Sequence, residues 1–80
     1  MHNILIIGAN RGLGLEFAKQ YSNKENNVFA TTRNKNNAKE LYSIKNIKVF
    51  ELDLNSDKSL DNFIKDISSQ KIDILIHNAG

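Results

Sequence analysis

Three glycines within seven residues, Gly8-Ala9-Asn10-Arg11-Gly12-Leu13-Gly14, are the part of this 80-residue chain best suited to specific chemistry. The chain has four glycines and no proline, so most of its glycine stands in this one stretch. Glycine serves where φ must be positive or where backbone must come close to another group. An apolar run, Ile4–Ile7, precedes the stretch, and a helical pattern, Leu13 to Tyr21, follows it. In that setting Gly8 allows a sharp bend off a strand. Gly12 keeps a side chain out of the way of an approaching pyrophosphate, and Gly14 lets the helix pack close to the sheet. The start of the helix then offers unpaired N–H groups and a partial positive charge to phosphate oxygens. The competing reading is an ordinary strand-to-helix loop that happens to be glycine-rich. The position between strand and helix near the N-terminus favours the nucleotide reading.

A second residue extends that chemistry from a phosphate to a whole dinucleotide. Arg33 ends the run Val28-Phe29-Ala30-Thr31-Thr32-Arg33, about 20 residues past the glycines, where dinucleotide folds read the adenosine ribose. An acid there suits the free 2′-hydroxyl of NAD, and an arginine suits the 2′-phosphate of NADP. The run contains no acid, and a guanidinium can grip a phosphate through two parallel hydrogen bonds. The residues therefore favour NADP(H) over NAD(H). The plain alternative for Arg33 is a solvated surface cation.

These residues need elements to position them. Four strand-length apolar runs recur: Ile4–Ile7, Val28–Thr31, Ile47–Leu52 and Ile72–Ile76. The first and last are nearly unbroken, as in strands buried on both faces of a parallel sheet. Helical patterns separate them. Leu13, Phe17, Ala18 and Tyr21 share one helical face, as do Leu60, Phe63, Ile64 and Ile67. A shorter helix, Ala38 to Tyr42, has Asn37 as a candidate cap with Glu40 three residues on. Asn55 or Ser56 could cap the last helix, and Asp57 suits its positive end. The order β-α-β-α-β-α-β implies an α/β fold with right-handed crossovers. We expect a Rossmann-type doubly wound parallel sheet, four strands in the order 3-2-1-4, incomplete, with residues 1–80 as the N-terminal part of a single NAD(P)-binding domain.

Composition narrows the function classes. Eighty residues allow one domain with a small core, burying only somewhat more than about 60% of the unfolded surface. With no cysteine there is no disulfide framework and no thiolate metal site. The net charge is +2, from 11 Lys and Arg against 9 Asp and Glu, and the lysines are scattered. That argues against a nucleic-acid stripe. No run reaches the roughly 18 apolar residues of a membrane helix, and no signal peptide is evident. A soluble, cytoplasmic chain is expected.

The spacing G-x-x-x-G-x-G resembles that of the short-chain dehydrogenase/reductase family, and the continuation through Leu15-Glu16 is similar to its carbonyl-reductase branch. The family usually has a threonine before the first glycine, where this chain has Ile7. The resemblance implies cofactor contacts at Gly8, Asn10, Arg11, Gly12, Leu13 and Gly14, with Arg11 a second cation toward NADP. It implies that Asp53 holds the adenine amino group while Leu54 packs its ring. The alternative for Asp53 is a loop or capping acid ahead of Ser56. His77-Asn78-Ala79-Gly80 resembles the family's Asn-Asn-Ala-Gly motif. There Asn78 steadies the sheet, and Ala79 and Gly80 let the cofactor ribose lie against backbone. His77 replaces the first asparagine, and we assign it no catalysis and no metal.

The family's chemistry uses a serine and a Y-x-x-x-K pair downstream of this last motif, and these 80 residues contain neither at that place. Tyr21 to Lys24 and Tyr42 to Lys45 both read Y-x-x-K, one residue short, and are read as structural. We assign no catalytic residue, and no triad or carboxylate pair stands in. The expectation is the cofactor-binding half of an NADP(H)-dependent oxidoreductase that acts on a small carbonyl or alcohol and can be oligomeric at full length. A non-catalytic dinucleotide-binding module, regulatory or structural, is the alternative. Ile72–Ile76 should form an exposed apolar edge, leaving the isolated chain marginal or insoluble.

Overall fold

The apolar runs become four parallel strands, β1 (Asn3–Ile7), β2 (Asn27–Thr32), β3 (Ile47–Glu51) and β4 (Ile74–His77), in the sheet order β3-β2-β1-β4. Three helices connect them: α1 (Gly12–Ser22), α2 (Lys39–Tyr42) and α3 (Asp57–Ile67). A 3-10 turn at Lys35–Asn37 precedes α2. The computed structural model describes residues 2–9, 12–22 and 25–78. This is the doubly wound, Rossmann-type order expected from the alternation of runs.

Two small cores, one on each face of the sheet, hold the layers together. On one face Ile4, Ile6, Val28 and Ala30 meet Leu15 and Ala18 of α1 and Leu41 of α2. On the other, Leu5 and Phe29 meet Leu52 and Phe63, the single buried residue of α3. Successive strand residues point to opposite faces, so β1 supplies both cores and all three of its central residues are buried. The second core is stiffened by an aromatic chain. Phe29 lies 6.1 Å from Phe50, and Phe50 packs edge-on to Phe63 at 5.9 Å. Such pairs add about 0.5–1.5 kcal/mol beyond area burial.

The structure moves several expected boundaries. β4 starts at Ile74, not Ile72, and Asn3 holds residues 71–73 ahead of it through side-chain bonds and one backbone bond, from the Asp73 N–H to the Asn3 carbonyl at 2.9 Å. The Asn3 amide donates to the Lys71 carbonyl at 2.7 Å, and the Asp73 carboxylate accepts from the Asn3 N–H at 2.8 Å. Ile72 packs into the α3-side core instead. β4 is also not buried on both faces. It lies at the sheet edge with Ile74 and Leu75 exposed, as the expected apolar edge requires.

Helix faces differ in the same way. Leu13 was expected on the buried face of α1 but is 67% exposed. The residues of α1 buried against the sheet are Leu15 and the small residues Gly14, Ala18 and Ser22, four apart, which let the helix lie close. Ile64 of α3 is exposed because it sits about 100° around the helix from Phe63. Asn37 does not cap α2. It ends the 3-10 turn, and Ala38 holds the cap position with no side-chain bond. The asparagine that does cap here is Asn34, whose side chain accepts from the Asn36 N–H at 2.9 Å.

Candidate cofactor site

The glycine turn leaves β1 at the C-terminal end of the sheet, between the strands where the connection order reverses. Open α/β sheets bind ligands in that crevice. Gly8 has φ 83°, which is left-handed and costs a residue with a Cβ about 1–2 kcal/mol. Two neighbouring strands grip the bend. From β2, the Thr31 hydroxyl accepts from the Gly8 N–H at 3.0 Å, and the Thr31 carbonyl accepts from the Ala9 N–H at 2.9 Å. From beyond β4, Asn78 donates its backbone N–H to the Ile7 carbonyl at 2.9 Å and its side-chain amide to the Gly8 carbonyl at 3.3 Å. Asn78 thus ties the end of β4 to the start of the turn.

The other two glycines differ in kind. A Cβ on Gly14 would collide with the Gly8 carbonyl oxygen and lie 2.8 Å from the Asn78 amide nitrogen. Helix, turn and β4 therefore meet at a point that only hydrogen can occupy. A Cβ on Gly12 would meet nothing within 4 Å, so that side of the turn is open. Its φ is 61°. No acid stands in the first turn of α1, so no carboxylate competes for the positive end of the helix. A clamped bend, an open glycine and a first helical turn without an acid fit a pyrophosphate.

The remaining expected contacts fall at the same edge without touching the turn. Arg33 follows β2 and is exposed, and among the described residues no carboxylate pairs with it. The nearest acid in the adjoining strand, Glu51, accepts from the Lys35 N–H at 3.2 Å. Asp53 follows β3 and is half-buried. Its N–H donates to the Ser59 hydroxyl at 2.9 Å, and its carboxylate accepts from the Asn55 N–H at 3.0 Å. Leu54 projects outward. Asn10, Arg11, Ala79 and Gly80 lie outside the described residues. Sequence reasoning missed Thr31. Its one signal was a polar residue closing a strand otherwise made of core residues.

Other features lie elsewhere. A polar groove of about 340 Å³ runs between α3 and β3, lined by Lys35, Glu51, Lys58 and Asn62 among others, away from the glycine turn. Among the described residues no three His, Cys, Asp or Glu gather in a metal-binding group, and no helix is long and apolar enough to cross a membrane.

Comparison with known proteins agrees with this geometry. Residues 2–80 match the family described as short chain dehydrogenase. The chain is 36% identical over 84 residues to the short-chain dehydrogenase cctT of Talaromyces islandicus, covering 100% of this chain and 30% of that protein. It superposes with a TM-score of 0.87 and 32% identity on a carbonyl reductase from Pseudomonas aeruginosa PAO1 in complex with NADP, covering 100% of this chain and 39% of the other. A 4-hydroxyisoleucine dehydrogenase complexed with NADH superposes with a TM-score of 0.83 and 31% identity, covering 100% of this chain and 34% of the other. The chain thus spans about a third of the length of the relatives it matches. With its strand order, its glycine turn and these matches in agreement, the chain belongs to the short-chain dehydrogenase/reductase family of oxidoreductases.

Proposed function

We propose that residues 1–80 are the cofactor-holding, N-terminal part of a cytoplasmic NADP(H)-dependent oxidoreductase that interconverts a small carbonyl and its alcohol. The observation that carries this reading is the charge at the end of β2, where Arg33 stands exposed after a strand with no acid. The matched relatives include one bound to NADP and one bound to NADH, so similarity alone does not choose. The sign of the charge at position 33 is what supports NADP in this reading.

In this reading the N–H groups at the start of α1, around Gly12, Leu13 and Gly14, receive the pyrophosphate. Gly8 and Asn10 shape the turn. Arg33 and Arg11 bracket the 2′-phosphate, Asp53 accepts from the adenine amino group, and Leu54 covers the ring. Asn78, Ala79 and Gly80 border the nicotinamide ribose. The bound dinucleotide would supply or accept the hydride at its nicotinamide. No residue of the 80 is assigned the proton transfer. The chain taken alone is read as inactive, and the complete gene product as an oligomer-forming enzyme with neither a nucleic-acid nor a membrane partner.

The test compares NADPH and NADH dissociation constants for the complete gene product and its Arg33→Asp variant. Wild type should favour NADPH. A lost charge-assisted contact of about 1.5–3 kcal/mol should move the ratio about 10- to 100-fold toward NADH. An unmoved ratio would remove Arg33 from the phosphate site.

A further inference from the structure

We propose that Thr31 is a positioning residue for the cofactor, fixing the phosphate turn through its hydroxyl without touching the ligand. The inference rests on the reading of the glycine turn as a dinucleotide site. At Gly8 the chain leaves the extended conformation, with φ 83°, so the Gly8 N–H can no longer continue a regular ladder. The backbone carbonyl that could serve it, that of Thr31, is already taken by the Ala9 N–H at 2.9 Å. The Thr31 side chain fills the gap, accepting from Gly8 at 3.0 Å. Thr31 is 1% exposed, so water has little access to replace that bond. One residue of β2 therefore binds two successive N–H groups of the turn. This fixes where the turn ends and the α1 start begins, and it leaves phosphate binding to the N–H groups of α1.

The alternative assignment for a buried threonine is strand packing, in which its methyl group matters and its hydroxyl does not. Position in the register separates the two. Thr31 pairs with Phe50 in β3, and Thr32 pairs with Glu51. Both threonines are buried, yet only Thr31 bonds the glycine turn, while Thr32 donates to the Asn34 carbonyl at 3.2 Å on the Arg33 side. The two hydroxyls thus serve different ends of the cofactor site. Removing the first should weaken every dinucleotide alike, because all carry the pyrophosphate.

The experiment measures NADPH and NADH dissociation constants by calorimetry for wild type, Thr31→Val and Thr31→Ser in the complete gene product. Amide hydrogen exchange at Gly8 is followed in the same proteins without cofactor. We expect Thr31→Val to weaken both cofactors about tenfold by the same factor, with faster Gly8 exchange, and Thr31→Ser to stay within about twofold of wild type. Should Thr31→Val not fold, Thr31→Ala replaces it against Thr31→Ser. Faster Gly8 exchange with unchanged dissociation constants would overturn the proposal and leave the cofactor reading standing. Equal losses in the serine and valine variants would overturn it in favour of methyl packing, and a changed NADPH-to-NADH ratio would overturn it too. A wild-type protein that binds neither dinucleotide would bring down the cofactor reading and this proposal together.

Discussion

Two strand-to-helix turns stand at the same edge of the sheet and are built in opposite ways. Among the described residues, the turn from β1 into α1 is shaped by glycines. Its bend is Gly8, its open side is Gly12, and the first turn of its helix has no acid. Its fastenings come from outside, from Thr31 and Asn78. The turn from β3 into α3 satisfies itself. Ser56 caps the helix by accepting from the Ser59 N–H at 3.2 Å, Asp53 accepts from Asn55, and Asp57 lies against the positive end. Both helices begin with donors that need partners. Where side chains of the same turn supply them, the helix start is closed to an anion. Where strands on either side hold the turn instead, as the proposed site requires, the start can be left to an anion. A free helix start is thus a matter of where its supports are placed.

That contrast can be broken most forcefully at Gly14. A Cβ there meets backbone on the turn, so neither helix nor bend can yield cheaply. Gly14→Ala should cost about 3 kcal/mol of stability and abolish measurable dinucleotide binding. Urea denaturation and calorimetric titration of the complete gene product check both. A variant of wild-type stability would mean that α1 does not approach the turn as closely as described. Gly12→Ala separates fold from site. Its Cβ has room but its φ of 61° is left-handed, so stability should fall only about 1–2 kcal/mol. Cofactor affinity should still fall about tenfold or more, because the methyl occupies the ligand's side of the turn. If affinity held, the pyrophosphate would have to lie elsewhere.

How much of this was legible in the sequence follows the same division. Strand order, the bend at Gly8 and the close packing at Gly14 could be read because alternation and glycine spacing are local patterns. Thr31 could not, because its bond to Gly8 spans 23 residues and depends on the register of β2 against β1. The face of α1 was misjudged at Leu13 because apolar periodicity weighs large residues, whereas the buried stripe runs through Gly14, Ala18 and Ser22 with Leu15 beside it. The edge at β4 was legible as an apolar run. Its start was not, since the bonds between Asn3 and Lys71 or Asp73, two through side chains and one through backbone, join residues 68 or 70 positions apart. Asp53 shows a further reason. Both readings of it concern the same strand end: its backbone bonds Ser56 and Ser59, and one carboxylate oxygen accepts from Asn55, so an adenine contact would share the carboxylate with Asn55 alone.

Smaller changes sharpen the comparison from the self-capped side. Ser56→Ala removes one cap bond and should cost about 1 kcal/mol in urea denaturation. Dinucleotide affinity should stay within about twofold, because this helix start is not the anion site. A tenfold loss of affinity would show instead that the α3 turn carries the phosphates.

The smallest effect belongs to Asp57. Its carboxylate stands in the first turn of α3, exposed, where the helix macrodipole presents partial positive charge. Asp57→Asn keeps shape and hydrogen-bonding capacity and removes only the charge. At low salt the loss should be about 0.3–1 kcal/mol. At 1 M salt the Debye length falls to about 3 Å and most of that difference should vanish. Placing an acid in the first turn of α1, Leu13→Asp, one position further in than Asp57 stands in α3, should do the reverse. It should satisfy the helix dipole without lowering stability, yet repel the pyrophosphate and weaken both dinucleotides. Paired urea titrations at the two salt concentrations, with cofactor calorimetry on the Leu13→Asp variant, decide it. If an acid in the first turn of α1 leaves affinity untouched, the open helix start is not what holds the cofactor, and the contrast between the two turns is one of packing alone.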